Sequence, residues 1–346
     1  MPQTAETESQ AATTARPRSR QISRSSFKAP RPSPFERGKL QLKLWDRIVF
    51  ILMLTLIFGL SVVPDFLLYP AGIACGWLGY VFDRRHVRIG LKNLTIAFPE
   101  KTEHERRQIL RASYINLGRA GAEYVRLGGF FYRRLKRRVT YDRIEYWNEL
   151  EQRYPGRGIL VMSAHFGNFE LLHTGHALNG FQISLVHHTQ RFIAGDALMS
   201  WIRERAGVDI LRKHSAARAA LKALTEGKLV GIPFDQNAKR SEAIFVPFFG
   251  EPAATASGLA RLVRMSNAIV VPAFIIRGSD KRSHLIEIQD EIPLQRTGDE
   301  AADTLENTRL FVHAIEAIVR RYPEQFLWIH RRFRTRPRGM PPIYDN

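Results

Sequence analysis

Two almost uninterrupted apolar runs, separated by one aspartate, constrain this chain more than any other feature. "IVFILMLTLIFGLSVVP" covers 48–64 and "FLLYPAGIACGWLGYVF" covers 66–82, on either side of Asp65. Each holds about 17 uncharged residues, near the lower limit for crossing a hydrocarbon core of ~30 Å. Trp45, Tyr69, Trp77 and Tyr80 suit a membrane interface, and Gly and Pro are tolerated in such helices. The competing reading is a buried helical hairpin in a soluble core. Basic residues flank both ends, Arg47 before and "DRRHVR" from Asp83 after, so the positive-inside rule wants both ends in the cytoplasm. Two short segments bent at Pro64-Asp65 satisfy that rule.

Before these runs the chain is rich in Ser, Thr, Ala, Pro and Arg, with no apolar periodicity, and reads as a disordered basic tail suited to an anionic membrane surface. It lacks the apolar core of a signal peptide. The expected organisation is therefore a tail over 1–43, a hydrophobic membrane anchor over 44–82 and a catalytic domain over 83–346.

The remaining sequence has the makings of a folded core, since 45% of the 346 residues are hydrophobic. The formal charge of +19 excludes an acidic solvating protein and points to anionic partners: phosphates, phospholipid headgroups or an acidic carrier protein. The single cysteine, Cys75, excludes an intramolecular disulfide, a Cys-based zinc site and CxxC redox chemistry. Thr102 followed by Glu105 forms a capping box ahead of a helical pattern. From about Gly158, β-branched runs ("GILVMSA", "QISLVHH", "KLVGIPF", "AIVVPAFIIR", "SHLIEIQ") alternate with helical ones ("SAARAALKALTEG", "TASGLARLVRMSN"). That alternation predicts an α/β fold, a mixed, largely parallel sheet flanked by helices. The last helix is expected from about Asp299 to Tyr322.

The most informative segment is "GILVMSAHFGNFELLH", Gly158 to His173. It places His165 at the carboxyl end of a strand, where open α/β sheets present their binding crevice. Gly167 allows a tight turn, after which Glu170, in the first helical turn, is expected to reach the imidazole. A carboxylate on one ring nitrogen fixes the tautomer and leaves the other nitrogen as a base for a hydroxyl proton. There is no GxSxG, and Cys75 sits in an apolar run, so a covalent acyl-enzyme is not expected. Metal readings are weak: Glu170-x-x-His173 has no second copy, and His173, His176, His187 and His188 have neither an HExxH nor a Cys partner. A nucleic-acid reader is equally unsupported, because no zinc-finger or RNP pattern is present.

"AHFGNFE" is similar to the H-x4-D/E motif of the glycerolipid acyltransferase superfamily. The chain from about Leu44 to Pro337 resembles its lipid A biosynthesis acyltransferase branch, through "NLTIAFPE", "SAHFGNFELL", "GKLVGIPFDQN", "FVPFFGEPAATASGLARL", "VVPAFIIR" and "PEQFLWIHRRFRTRP" in order. The resemblance implies a bacterial inner-membrane enzyme, facing the cytoplasm and using no cofactor. It would transfer a fatty acyl chain from acyl carrier protein to a hydroxyl of a phosphorylated glucosamine disaccharide of the Kdo-lipid IVA type. His165 would be the general base and Glu170 its orienting partner. Backbone amides near the helix start at Gly167 and Asn168, or a nearby Arg, would supply oxyanion donors.

On the same basis Arg203 and Arg205 are candidates for the oxyanion or a substrate phosphate, with a solvated helix face as the alternative. Arg191 is a weaker candidate, because "TQR" and "FIAGD" depart from the family pattern there. Asp235 and Gln236 end a strand at the next crevice position, and Thr255 is expected chiefly to cap the following helix. His330, Arg331 and Arg332, within "WIHRRFR", would bind lipid phosphates or the carrier protein, or else close the sheet. The alternatives are another glycolipid, phosphoglycolipid or aminolipid acceptor, acyl-CoA as donor, or a catalytically silent membrane-binding protein of the same fold.

Overall fold

The computed structural model describes residues 43–187, 189–212 and 216–345. Apart from Lys43, the expected basic tail lies outside the described residues, as does His188. The chain opens with helices α1 (Leu44–Ser61), α2 (Asp65–Phe82), α3 (Arg84–Ala97) and α4 (Glu103–Gly128). A 3₁₀ turn, Tyr132–Arg138, leads to β1 (Val139–Tyr141) and α5 (Tyr146–Arg153). Then follow β2 (Ile159–Ser163), α6 (Phe169–Leu178), β3 (Ser184–His187), α7 (Ile193–Ala206), β4 (Asp209–Arg212), α8 (Ala216–Thr225) and β5 (Leu229–Pro233). The hairpin β6 (Ala243–Phe248) and β7 (Glu251–Ala256) precedes α9 (Gly258–Ser266), β8 (Ile269–Arg277), β9 (His284–Ile288) and α10 (Glu300–Arg321).

Seven strands form one sheet in the order β1-β9-β8-β2-β5-β3-β4, with β6 and β7 paired separately. Within the large sheet only the β8–β9 pair is antiparallel, as the α/β reading expected. Every residue of β2 and of β8 is buried, because helices cover both faces of the sheet centre. Leu160, Met162, Val230 and Phe274 pack on one face, and Ile159, Val161, Leu229 and Ile275 on the other. Each such side chain contributes roughly 1.5–3 kcal/mol on burial, and together they fix where the strand ends lie.

The capping box forms: Glu105 N–H donates to Thr102 Oγ1 at 3.3 Å, and Thr102 N–H donates to Glu105 Oε2 at 2.7 Å. One helical expectation needs correction. "TAS" belongs to β7 and its exit, so α9 starts at Gly258 and Thr255 caps nothing. Arg332 Nη2 donates to the Thr255 hydroxyl at 2.6 Å, holding Thr255 in the hairpin rather than ahead of the helix.

The two apolar runs form α1 and α2, broken at residues 62–64, and most of their large side chains are exposed, among them Trp45, Leu52, Phe66 and Phe82. One flank of α2 lies directly on α4. A Cβ added at Gly118 would meet Gly72 O at 2.1 Å, and one at Gly76 would meet Tyr114 O at 2.3 Å, so the two backbones touch. The turn between α1 and α2 is clamped to the same body. Arg126, from α4, donates to the Ser61 and Val63 carbonyls and pairs with Asp65, which also pairs with Arg138. The hairpin therefore lies lengthwise against the domain instead of projecting from it.

Candidate active site

β2 and β5 are parallel neighbours in a register that pairs Ser163 with Pro233. Two residues past each strand end stand His165 and Asp235, which this register brings side by side above the sheet. The turn after His165 is held tightly. Gly167 has φ +59°, and a Cβ there would meet Ile275 O at 1.9 Å, so only glycine fits. Leu327 N–H donates to His165 O at 3.1 Å and Gly167 N–H donates to Gln325 O at 2.8 Å. The "EQFLW" segment thus straps the motif's backbone from behind.

His165 Nδ1 lies 2.8 Å from Asp235 Oδ1, and the Asp235 side chain is only 2% exposed. A carboxylate only accepts, so the imidazole proton sits on Nδ1 and Nε2 carries the lone pair. Burial alone would depress the His165 pKa, but the Asp235 carboxylate, with a smaller push from Glu170, holds it above the ordinary value. Asp235 is affected reciprocally: burial would raise its pKa, yet the adjacent imidazole keeps it lowered. The Gln236 amide nitrogen stands 3.3 Å from His165 Nε2, at the site's outer edge.

Glu170 does not make the expected bond to His165. The first turn of α6 turns its carboxylate toward α7, where Arg203 grips it twice, Nε to Oε2 at 2.9 Å and Nη2 to Oε1 at 2.5 Å. Arg203 is in turn fixed by a buried chain that the sequence reading missed. Its Nη1 donates to His187 Nδ1 at 2.7 Å, and His187 Nε2 donates to Asp196 Oδ1 at 2.7 Å. Gln190 N–H donates to the same Asp196 oxygen at 2.8 Å. Asp196 and Arg203 are seven residues apart, which puts them on one face of α7. That spacing was the available signal.

A second buried network, also missed, supports the turn from below. Glu123 of α4 accepts from Arg277 Nη1 at 2.5 Å and Nη2 at 2.8 Å, from His284 Nε2 at 3.1 Å, and from Asn168 Nδ2 at 2.6 Å. Burial would raise the Glu123 pKa, but His284 and Arg277 bring it down to about 2. Asn168 in addition caps α6, its Oδ1 accepting from Leu171 N at 3.1 Å.

Several expected substrate contacts are committed elsewhere. The Gly167 amide is spent on Gln325; the Asn168 side chain is buried between α6 and Glu123, which leaves the expectation for its backbone amide untouched. Arg205 lies over Phe58, Tyr132 and Trp201 and donates to Gly128 O, so it does not join His165. Arg331 rests against Tyr344, near the carboxyl end of the chain, and Arg191 is exposed.

His330 and Arg332 line one wall with Asp235. His330 Nε2 accepts from Asn237 N at 2.9 Å, and burial pushes its pKa down to about 4, so it is neutral. Arg332 donates to Ala254 O at 2.8 Å and is pushed down to about 10 by burial. Burial takes His173 down to about 3. Among the described residues, no group of three His, Cys, Asp or Glu is placed to hold a metal.

The arrangement is an imidazole backed by a buried carboxylate, with Nε2 turned outward to the exposed Gln236 amide. Comparison with known proteins gives it a context. The sequence pattern of the bacterial lipid A biosynthesis acyltransferases matches residues 36–335. The chain is 29% identical over 284 residues to the lipid A biosynthesis lauroyltransferase of Escherichia coli K12, covering 82% of this chain and 90% of that one. It is 29% identical over 301 residues to the palmitoleoyltransferase of the same organism, covering 83% and 93%, and 25% identical over 285 residues to its myristoyltransferase, covering 81% and 85%. With most of its length matched, the chain belongs to the bacterial lipid A biosynthesis acyltransferase family and is an acyltransferase.

Proposed function

We propose that the protein moves a fatty acyl chain from an acyl carrier protein thioester to a hydroxyl of a phosphorylated disaccharide precursor of lipid A, directly and without an acyl-enzyme. The observation that carries this reading is the 2.8 Å contact from His165 Nδ1 to Asp235, which leaves Nε2 as the acceptor of a proton. Nε2 takes the proton from the acceptor hydroxyl as its oxygen attacks the thioester carbonyl. The tetrahedral oxyanion then collapses, the C–S bond breaks, and the imidazolium returns the proton to the departing thiolate. Asp235 stabilises the imidazolium between these steps. Glu170 favours the same cation, while the Arg203 that holds it opposes it, so Asp235 is the main support of the imidazolium.

Association with the inner membrane, with the catalytic domain on the cytoplasmic side, fits this substrate. The exposed apolar sides of α1 and α2 would meet the lipid. The charge of +19 suits both the acceptor phosphates and an acidic carrier.

The test supplies membranes containing the protein with lauroyl, myristoyl and palmitoleoyl carrier-protein thioesters and the tetra-acylated precursor. Product mass should rise by one acyl chain with at least one donor. No transfer with any of these donors, or transfer only from acyl-CoA or to another lipid, would overturn the assignment.

A further inference from the structure

We propose that the segment Phe130–Arg137, together with the turn between α1 and α2, forms one amphiphilic edge that rests on an anionic bilayer surface. This rests on the membrane-bound reading above and names a contact that lies outside the two apolar helices.

The 3₁₀ turn sorts its residues by face. Leu135 is buried and Arg138 turns inward to Asp65, while Arg133, Arg134, Lys136 and Arg137 are exposed. Two of the four contact aromatic groups: Arg133 Nε donates to the Tyr132 hydroxyl, and Arg134 lies 4.5 Å over the Phe131 ring. Immediately before them Phe130 is 59% exposed and Phe131 41% exposed. Exposed aromatics beside a run of cations suit a headgroup region, where rings sit at the acyl boundary and cations meet phosphate.

This ridge is continuous with the hairpin. The Phe130 ring packs edge-on against Phe58 of α1 at 4.7 Å, and Phe130 N–H donates to Ser61 Oγ at 3.3 Å. Beyond Ser61 the turn exposes Val62, Phe66 and Leu67. Arg126 and Arg138 bind this turn to the body that carries His165, so its tip cannot sit across the bilayer while the sheet stays on the near side. The hairpin instead lies along the near leaflet, with the four cations beside it. An acidic carrier protein has the same charge as the bilayer surface, but it does not account for the exposed apolar turn alongside.

The experiment uses the full chain with Cys75→Ser and one cysteine introduced at Phe131, carrying an environment-sensitive fluorophore, and a matched label at the exposed Met265 of α9. Phosphatidylcholine vesicles are compared with vesicles containing phosphatidylglycerol. A blue shift at 131 but not at 265, strengthened by phosphatidylglycerol, is the expected result. Reversing all four charges (R133E, R134E, K136E, R137E) should weaken binding to the anionic vesicles by on the order of 10²-fold or more, given about fivefold per cation near such a surface.

If the protein sediments with vesicles while the label at 131 stays water-like, this edge is wrong and the membrane reading survives. If no vesicle binds the protein, both fall. If the charge-reversed protein binds vesicles like the wild type but has a raised KM for the carrier-protein thioester, the ridge serves the carrier and the proposal is overturned.

Discussion

His165 and Asp235 meet because β2 and β5 run parallel and in register, so that the second residue past each strand end faces its counterpart at 2.8 Å. In the proposed mechanism His165 acts only when unprotonated, and Asp235 raises the pKa at which that happens. Asp235→Asn removes the charge, so the acid limb of kcat/KM should move to lower pH while the plateau falls roughly 10²-fold or more. A pH–rate profile with the plateau reduced and the limb unmoved would separate Asp235 from His165.

The chain Glu170–Arg203–His187–Asp196 makes His187 a positioning residue. His187→Gln keeps an acceptor for Arg203 and a donor for Asp196, so kcat should stay within a few-fold of wild type. His187→Phe removes the acceptor of Arg203 Nη1 and one of the donors to Asp196 and should cost about 10²-fold in kcat, the scale of a small misplacement in the site, with KM little changed. Equal activity in the two variants would show that Arg203 holds Glu170 unaided.

Glu123→Gln should destabilise the protein by about 3–5 kcal/mol, because Arg277 loses its buried counter-charge. The pKa of Glu123 is depressed to about 2 from an ordinary value near 4.3. Its contribution is therefore complete above about pH 4.3 and is lost as pH falls toward 2. Denaturant unfolding across this range should show a shallower acid dependence in the variant than in the wild type.

Gly118→Val pushes a side chain into the Gly72 carbonyl, so α2 must shift on α4. A loss of about 1–3 kcal/mol is expected, the usual range for overpacking, read as a lower thermal midpoint. The neighbouring Gly121, with open space around its Cβ position, should accept alanine without loss.

The sequence made local features legible and left long-range ones hidden. The Thr102–Glu105 capping box, the α1–α2 break and the placing of His165 at a strand end all follow from short-range pattern. The partner of His165 did not. Glu170 is close in sequence, whereas Asp235 is 70 residues away and is brought in by strand order. Glu123 reads as one more charge on a polar helix, since nothing within α4 shows that Arg277 and His284 converge on it. Thr255 was misplaced because the β6–β7 pairing, which is also non-local in its consequences, extends the strand past it. Arg205 resembled Arg203 in sequence, but only Arg203 shares a face with Asp196.

The most direct measurement is kcat/KM for acyl transfer from carrier-protein thioester to the tetra-acylated precursor, comparing wild type with His165→Ala in the same membranes at matched protein level. Loss of the general base should reduce it by about 10²- to 10⁴-fold. A variant that retains activity within a few-fold of wild type would contradict the assignment of His165 as the base.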